Sequence, residues 1–410
     1  YDVCFESAKR NRTMPAMGKF FKRSQGRLSR AAGAGIRLAC LFIVLALPFS
    51  SQPVTSERIS FSAPLTLQWA YESREALNLT PAAGLKVVYL PLSNGKVVSL
   101  EVSSGEMRWR AEIGGQFSAS PLADETGVYI ASETQALSPV GSSAQQGRQV
   151  PRATGALRLL GGASGVTRWM RTLHLPLKGA LVANSNAVFG AATDGRIYSF
   201  RKETGEVIWV KQYVAPFACQ PTLANGKLYL GSENGTLLAL DQETGKTIWR
   251  YQTRGEINGA IAADHGVVYF GSADGFVYAF DESTGKLRWR RRTGAGVQSV
   301  VLAAGGVIAP SLDNFVYFLS AESGALLWKR QLAGRIAARP LPDGENALFS
   351  PLAGDACIVL SLRTGKQTNT LVVGEGNNTA ASPVVADGAV LVTTRAGLLA
   401  FAPPLANTSK

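Results

Sequence analysis

Seven tryptophans divide this chain at a nearly constant interval. Trp69, Trp109, Trp169, Trp209, Trp249, Trp289 and Trp328 are separated by 40, 60, 40, 40, 40 and 39 residues. A fixed period of this length means that one supersecondary unit is stacked several times, because so small a unit cannot bury its apolar face alone. The single long gap then holds an insertion. A glycine stands four residues before each of the last six tryptophans, preceded by Ser or Thr: Ser104-Gly105, Ser164-Gly165, Thr204-Gly205, Thr244-Gly245, Thr284-Gly285 and Ser323-Gly324.

The unit is clearest over residues 256–289. Turn pairs at His265-Gly266, Asp274-Gly275 and Thr284-Gly285 separate four short runs of β-branched, aromatic and small residues. Four strands joined by hairpins make an antiparallel meander. Glycine supplies the positive φ of such turns, and the Asp or Asn before it bonds its own backbone. The same turn recurs as Asn94-Gly95, Asp194-Gly195 and Asn234-Gly235, and decays to Asp313-Asn314. Alternation around Val267, Tyr269, Phe276, Tyr278 and Phe280 predicts sheets packed on sheets.

Counting second strands gives eight units, at residues 87–89, 128–130, 187–189, 227–229, 267–269, 307–309, 347–349 and 389–391. The last unit ends at Phe401 without a tryptophan strand, whereas the repeats open on an orphan one, Leu65 to Tyr71. Joining the two closes a ring and removes the exposed sheet edges. The expectation is an all-β, eight-bladed β-propeller over 60–402, with four-stranded blades and one blade shared by the two ends. A tail, 403–410, follows. In the seventh unit Asn369 stands where Trp is expected. The insertion, about 132–154, is rich in Ser, Gln and Gly and is expected as a flexible surface loop of the second blade.

Ahead of the repeats, residues 1–37 hold nine Lys or Arg against Asp2 and Glu6, a large share of the formal net charge of +13. An uncharged run of 12, Leu38 to Phe49, and a small, polar exit follow. This order is that of an export signal ending near residue 51. The run spans about 18 Å as a helix, short of a hydrocarbon core of about 30 Å, which favours cleavage; an uncleaved anchor is the alternative. Leu38-Ala39-Cys40 has the letters of a lipid-attachment site, but there the apolar run precedes the cysteine and here it follows. The remaining charge is nearly balanced and dispersed, so no nucleic-acid track is expected.

The unit Ala-Asp-Gly, Val-Tyr, Gly-Ser, Asp-Gly, Tyr-Ala-Phe-Asp, Thr-Gly-Lys, Trp resembles the tryptophan-docking repeats of the pyrroloquinoline-quinone (PQQ) superfamily. The resemblance spans about residues 60–402 and is strongest over 180–330. These repeats occur in quinoprotein dehydrogenases and in non-enzymatic envelope propellers of the BamB type, an outer-membrane assembly lipoprotein. It implies that the seven tryptophans lock blade to blade. A quinoprotein dehydrogenase would require an adjacent-cysteine disulfide, a Ca²⁺ site of acidic and amide side chains, and an Asp base. The four cysteines, Cys4, Cys40, Cys219 and Cys357, include no adjacent pair and no C-x-x-C. Cys219 and Cys357, set among apolar neighbours, are expected as buried free thiols.

Catalytic, cofactor and metal residues are therefore expected to be absent, and the reading is a monomeric, exported, periplasmic scaffold that binds a protein partner, such as a barrel-assembly factor, in the cell envelope. Membrane contact is expected only through the N-terminal segment. The alternatives are a PQQ-dependent oxidoreductase and a membrane-anchored ligand-sensing ectodomain. The loop after each tryptophan strand should share a face with the Asp-Gly turns, and Lys178, Phe217, Arg254, Glu256, Arg335 and Asn377 are candidate contacts there. Arg335 and Arg339 are expected toward the central channel, where they would hold a small anion or an acidic side chain.

Overall fold

The computed structural model describes residues 59–75, 78–136, 152–217 and 219–404. The basic tract, the apolar run, Cys4, Cys40 and the centre of the insertion lie outside these residues. The described chain forms eight antiparallel sheets arranged as an eight-bladed propeller and contains no helix. Blades are numbered by their order along the chain, and strands run from inner to outer. Blade 5 is representative: Ala262–Asp264, Val267–Ser272, Phe276–Asp281 and Leu287–Arg292, paired in that order. The expected closure is present, since the first strand, Thr66–Glu72, is the outer strand of blade 8 and pairs with Gly397–Ala402.

The two middle strands of each blade are buried along nearly their whole length, because each sheet is covered on both faces by neighbouring blades. Alternation therefore selects a neighbour, not core against solvent. Val268 and Phe270 pack with Tyr229, Leu237 and Ile257 toward blade 4, while Val267 and Tyr269 pack with Val300, Val307 and Tyr317 toward blade 6. At the Asp313-Asn314 turn, where glycine is replaced, Asn314 itself takes the left-handed conformation, with φ 68°.

The insertion starts as sheet. The second and third strands of blade 2 run on as Gly127–Ala136 and Arg152–Leu160, with Ser132 facing Ala156 and Ala136 facing Arg152. The loop expected from about 132 thus begins and ends as an extended hairpin. Blade 2 has a fifth strand, Gln116–Phe117, paired with that extension at Glu133 and Ser132.

Seven joints between blades share one geometry. Each tryptophan Nε1–H donates to a backbone carbonyl of the following blade: Trp69 to Val102 at 2.7 Å, Trp109 to Gly162 at 2.9 Å, Trp169 to Lys202 at 2.8 Å, Trp209 to Gln242 at 3.0 Å, Trp249 to Glu282 at 2.9 Å, Trp289 to Ala321 at 3.0 Å and Trp328 to Leu362 at 2.6 Å. The ring lies against the Ser/Thr-Gly turn of that blade. A Cβ on Gly285 would stand 2.6 Å from the Trp249 ring, which explains why this position is glycine in every such turn.

The eighth joint differs because the strand break falls there. Blade 8 has no turn between its third and outer strands, so no glycine platform exists for a tryptophan from blade 7. Asn369 instead donates through Nδ2 to the carbonyls of Phe61 (3.1 Å) and Ala63 (2.8 Å), fixing the lead into the first strand. Phe61 fills the gap, 1% exposed, against Leu348, Cys357 and Val359.

Two joints also carry buried charge in opposite polarity. The residue whose carbonyl receives the tryptophan bond is Lys202 at one and Glu282 at the other, with relative exposures of 4% and 5%. Lys202 Nζ reaches Asp124 (2.7 Å) and Glu125 (3.2 Å) of blade 2. Glu282 accepts from Asn225 (2.8 Å), Lys227 (3.2 Å) and Tyr229 (3.0 Å) of blade 4. Burial pushes each group toward its neutral form, and these partners outweigh it: the Lys202 pKa rises and the Glu282 pKa falls.

Candidate functional site

The propeller has two loop faces. On one, the loop after each outer strand folds back over the turn between the middle strands, as the sequence predicts. Tyr213 N–H donates to Gly195 O at 2.9 Å, Thr253 to Gly235 at 2.8 Å, Thr293 to Gly275 at 2.9 Å and Leu332 to Asn314 at 2.9 Å. The same loops cap the following blade through one carbonyl each, those of Pro216, Glu256, Gly296, Arg335 and Asn377 receiving Glu233, Ala273, Leu312, Leu352 and Arg395 N–H at 2.8–3.1 Å. This ladder fixes the loop backbones and leaves side chains free to project.

The sequence candidates separate on this frame. Arg254 and Glu256 come together, exposed, around a cavity of about 470 Å³ that Glu233 and Asn234 also line. Arg254 N–H donates to Asp274 Oδ2 (3.2 Å), and Glu256 accepts from Asn258 (2.6 Å), while the Arg254 guanidinium has no ion pair among the described residues. Arg335 is exposed on the same face but is not part of the channel lining, contrary to expectation. Asn377 is half-buried and spends its Nδ2 on Val373 O at 3.0 Å.

Two candidates are placed wrongly by the sequence reading. Phe217 is not a projecting loop residue: it is 2% exposed, packed with Leu228, Leu230 and Trp209. A signal for this was present, since the position eight residues after each of the last six tryptophans is Phe117, Leu177, Phe217, Ile257, Val297 and Ile336, an apolar column that is buried between blades. Lys178 lies within the strand Leu177–Ala183 and pairs with Glu133 at 3.3 Å, on the hairpin extension that the sequence reading took for a loop.

The central channel holds a cavity of about 1170 Å³. Thr80, Ser120, Ala180, Gln220, Ala260 and Arg339, each 11 residues after its tryptophan, line it together with Asn258, Gln298 and Ser382. Arg339 is therefore where expected, a cation set among small and neutral polar groups. Its backbone N–H donates to Ser382 Oγ at 2.9 Å, its guanidinium has no carboxylate partner among the described residues, and desolvation by the walls lowers its pKa. Asp264 is the other charged lining residue.

The chain matches the PQQ-like repeat family described as "Outer membrane protein assembly factor BamB" over residues 59–150, 153–261 and 254–409. It belongs to this family. Among solved structures, BamB from Moraxella catarrhalis superposes with a TM-score of 0.67 at 16% identity, over 83% of this chain and 97% of that one. The computationally designed Ika8 protein gives 0.68 at 14% identity, over 82% and 98%. Quinohemoprotein alcohol dehydrogenase from Comamonas testosteroni gives 0.67 at 13% identity, over 83% and 76%. No curated protein sequence matches. At these identities the structures share the fold.

A quinohemoprotein shares the fold of this member of the BamB family, so the residues of this chain can be set against what a quinone cofactor needs. Cys219 and Cys357 are free and buried, and neither lines the channel. Among the described residues no group of three or more His, Cys, Asp or Glu side chains is placed to hold a metal ion, and Asp264 is the one carboxylate of the channel lining.

Proposed function

We propose that this protein is a non-catalytic binding scaffold of the bacterial cell envelope that takes part in outer-membrane protein assembly, its partner docking on the loop face around Arg254 and Glu256. Membership of the BamB family across nearly all the described residues carries this reading. The loop geometry supports it. Backbones pinned by the carbonyl ladder hold an exposed arginine beside a recess, an arrangement in which an interface anchor loses little conformational entropy on binding. The basic tract and the apolar run Leu38 to Phe49 supply the export signal the location requires.

The test is an affinity pull-down of the full chain from an envelope extract, read by mass spectrometry, with Arg254→Glu and Glu256→Arg as variants. Recovery of a barrel-assembly protein that both variants release supports the proposal. Recovery unchanged by either variant removes the partner from this face. A parallel titration with PQQ and Ca²⁺ should give no saturable binding; saturation there, without a protein partner, would overturn the scaffold reading.

A further inference from the structure

Outer strands are the sheet edges of a propeller, and charge on them is expected because it discourages edge-to-edge pairing. That protection works with either sign, and blade 1 shows the balanced form: Met107–Glu112 carries Arg108, Arg110 and Glu112. Five neighbouring blades depart from it: the outer strands of blades 2 and 3, Thr167–Leu173 and Val207–Gln212, carry Arg168, Arg171 and Lys211 with no acidic residue, and the excess is greatest across blades 4 to 6 together. The outer strands Thr247–Gln252, Leu287–Arg292 and Leu326–Gln331 carry Arg250, then Arg288, Arg290, Arg291 and Arg292, then Lys329 and Arg330, with no acidic residue among them. The outer strands of blades 7 and 8, Gln367–Val372 and Thr66–Glu72, carry no cation.

Only Arg288 of the seven is neutralised, by Asp281 at 2.8 Å; the other six form no ion pair among the described residues. Two of them are braced by rings instead. The Arg290 guanidinium sits 5.1 Å from the centre of the Phe276 ring, and Lys329 Nζ sits 5.0 Å from that of Phe315. These contacts restrain the stems and leave the charge uncompensated. Exposed aliphatic side chains precede the tryptophan on each of these strands: Ile248, Leu287, Leu326 and Leu327, the last 55% exposed. Of the nearby acids, Asp241, Glu243, Asp281 and Glu322 lie on or beside the turns that precede these strands, at the end opposite the loop face, while Asp274 and Asp313 lie in middle-strand turns at the loop-face end and accept from the Tyr278 and Tyr317 hydroxyls.

We infer that this basic rim of blades 4 to 6 rests on an anionic lipid surface. The occupant follows from shape and charge. Cations spread over three blade edges, on outward-facing strands, match a broad plane of negative charge better than a peptide, which needs a groove or pocket. The exposed leucines and isoleucine at the start of these strands enter the headgroup region, where each adds to the electrostatic attraction. The disc would then stand on edge, with the loop face and the Arg254 recess left open at the side. The inference does not depend on what the loop face binds.

The experiment is hydrogen exchange of the full chain on vesicles of phosphatidylcholine with and without one-third phosphatidylglycerol, compared with a variant combining Arg291→Gln, Arg292→Gln and Arg330→Gln. Amides of the three outer strands should slow about tenfold or more on the anionic vesicles, those of Gln367–Val372 should not, and the variant and high salt should abolish the effect. The N-terminal segment is common to both proteins, so its contribution to vesicle binding cancels in the comparison. Vesicle-bound chain whose rim exchanges at its solution rate overturns the inference. Slowing by soluble polyglutamate but not by vesicles also overturns it, and would give the rim to an acidic protein.

Discussion

The tryptophan joint can be isolated from the backbone strain that accompanies it. Gly266 and Gly285 flank the same blade and have nearly equal conformations, φ 73° and 65°, yet a Cβ on Gly266 meets nothing within 4 Å whereas one on Gly285 would lie 2.6 Å from Trp249 Cγ. Alanine at either position incurs the left-handed penalty of about 1–2 kcal/mol. At Gly285 it must also push the indole away by roughly 1 Å, adding overpacking of about 1–3 kcal/mol and weakening the indole bond to Glu282 O. Gly285→Ala should therefore cost about 2–4 kcal/mol more than Gly266→Ala. Trp249→Ala should cost about 3–5 kcal/mol, and in its background the excess should vanish, since the obstacle is gone. Urea denaturation followed by circular dichroism, with one slope across the wild type, the three single variants and the two glycine variants in the Trp249→Ala background, reads these differences. Equal losses at the two glycines, or an excess that survives without Trp249, would refute the docking argument.

Other outcomes follow from the buried groups. Glu282, with its folded pKa depressed, contributes stability that is present above its unfolded value near 4.5 and lost as pH falls through the folded one. The wild type should lose urea resistance on acidification more steeply than Glu282→Gln, and parallel curves would contradict this. Lys202 has the opposite sign, with stability present below its unfolded value of 10.5 and lost as pH rises through the folded one, so Lys202→Met should flatten the alkaline limb only. Burial pushes the Cys219 thiol up to about 12 and Cys357 up to about 11, so alkylation at pH 8 mapped by mass spectrometry should label both only after unfolding. Asn369→Leu removes both bonds to the N-terminal lead and should cost about 1–3 kcal/mol, with faster amide exchange confined at first to Thr66–Glu72.

The ring was legible because its grammar is written in residues with little freedom. Only glycine fits beneath an indole, and only a tryptophan spaced by one blade reaches it, so blade number and closure follow from letters and intervals. The site was legible to a lesser degree. Arg254, Glu256 and Arg339 lie where their loop positions place them, whereas Phe217 does not, because its burial depends on the next blade arriving over it. The apolar column at eight residues past each tryptophan carried that information, but it appears only when all repeats are aligned. Lys178 was misplaced for a different reason: hairpin extension turned a Ser- and Gln-rich stretch into strand, and Glu133 came within reach. The charged joints at Lys202 and Glu282 link residues that are 55–78 positions apart with no shared spelling, so no periodicity reveals them.

The closing blade has a consequence for how the molecule is made. Each of the seven tryptophan joints connects residues only 32–53 positions apart in the chain, so a growing polypeptide can make one after another as they appear. Closing blade 8 brings Thr66 to Ala402, across a sequence separation of 336 residues. Until those last strands exist the ring is an open arc and Thr66–Glu72 has no sheet to join. A chain emerging from its amino end must hold that first strand in reserve through almost the whole of its synthesis. The oldest strand of the propeller is therefore among the last to find its place.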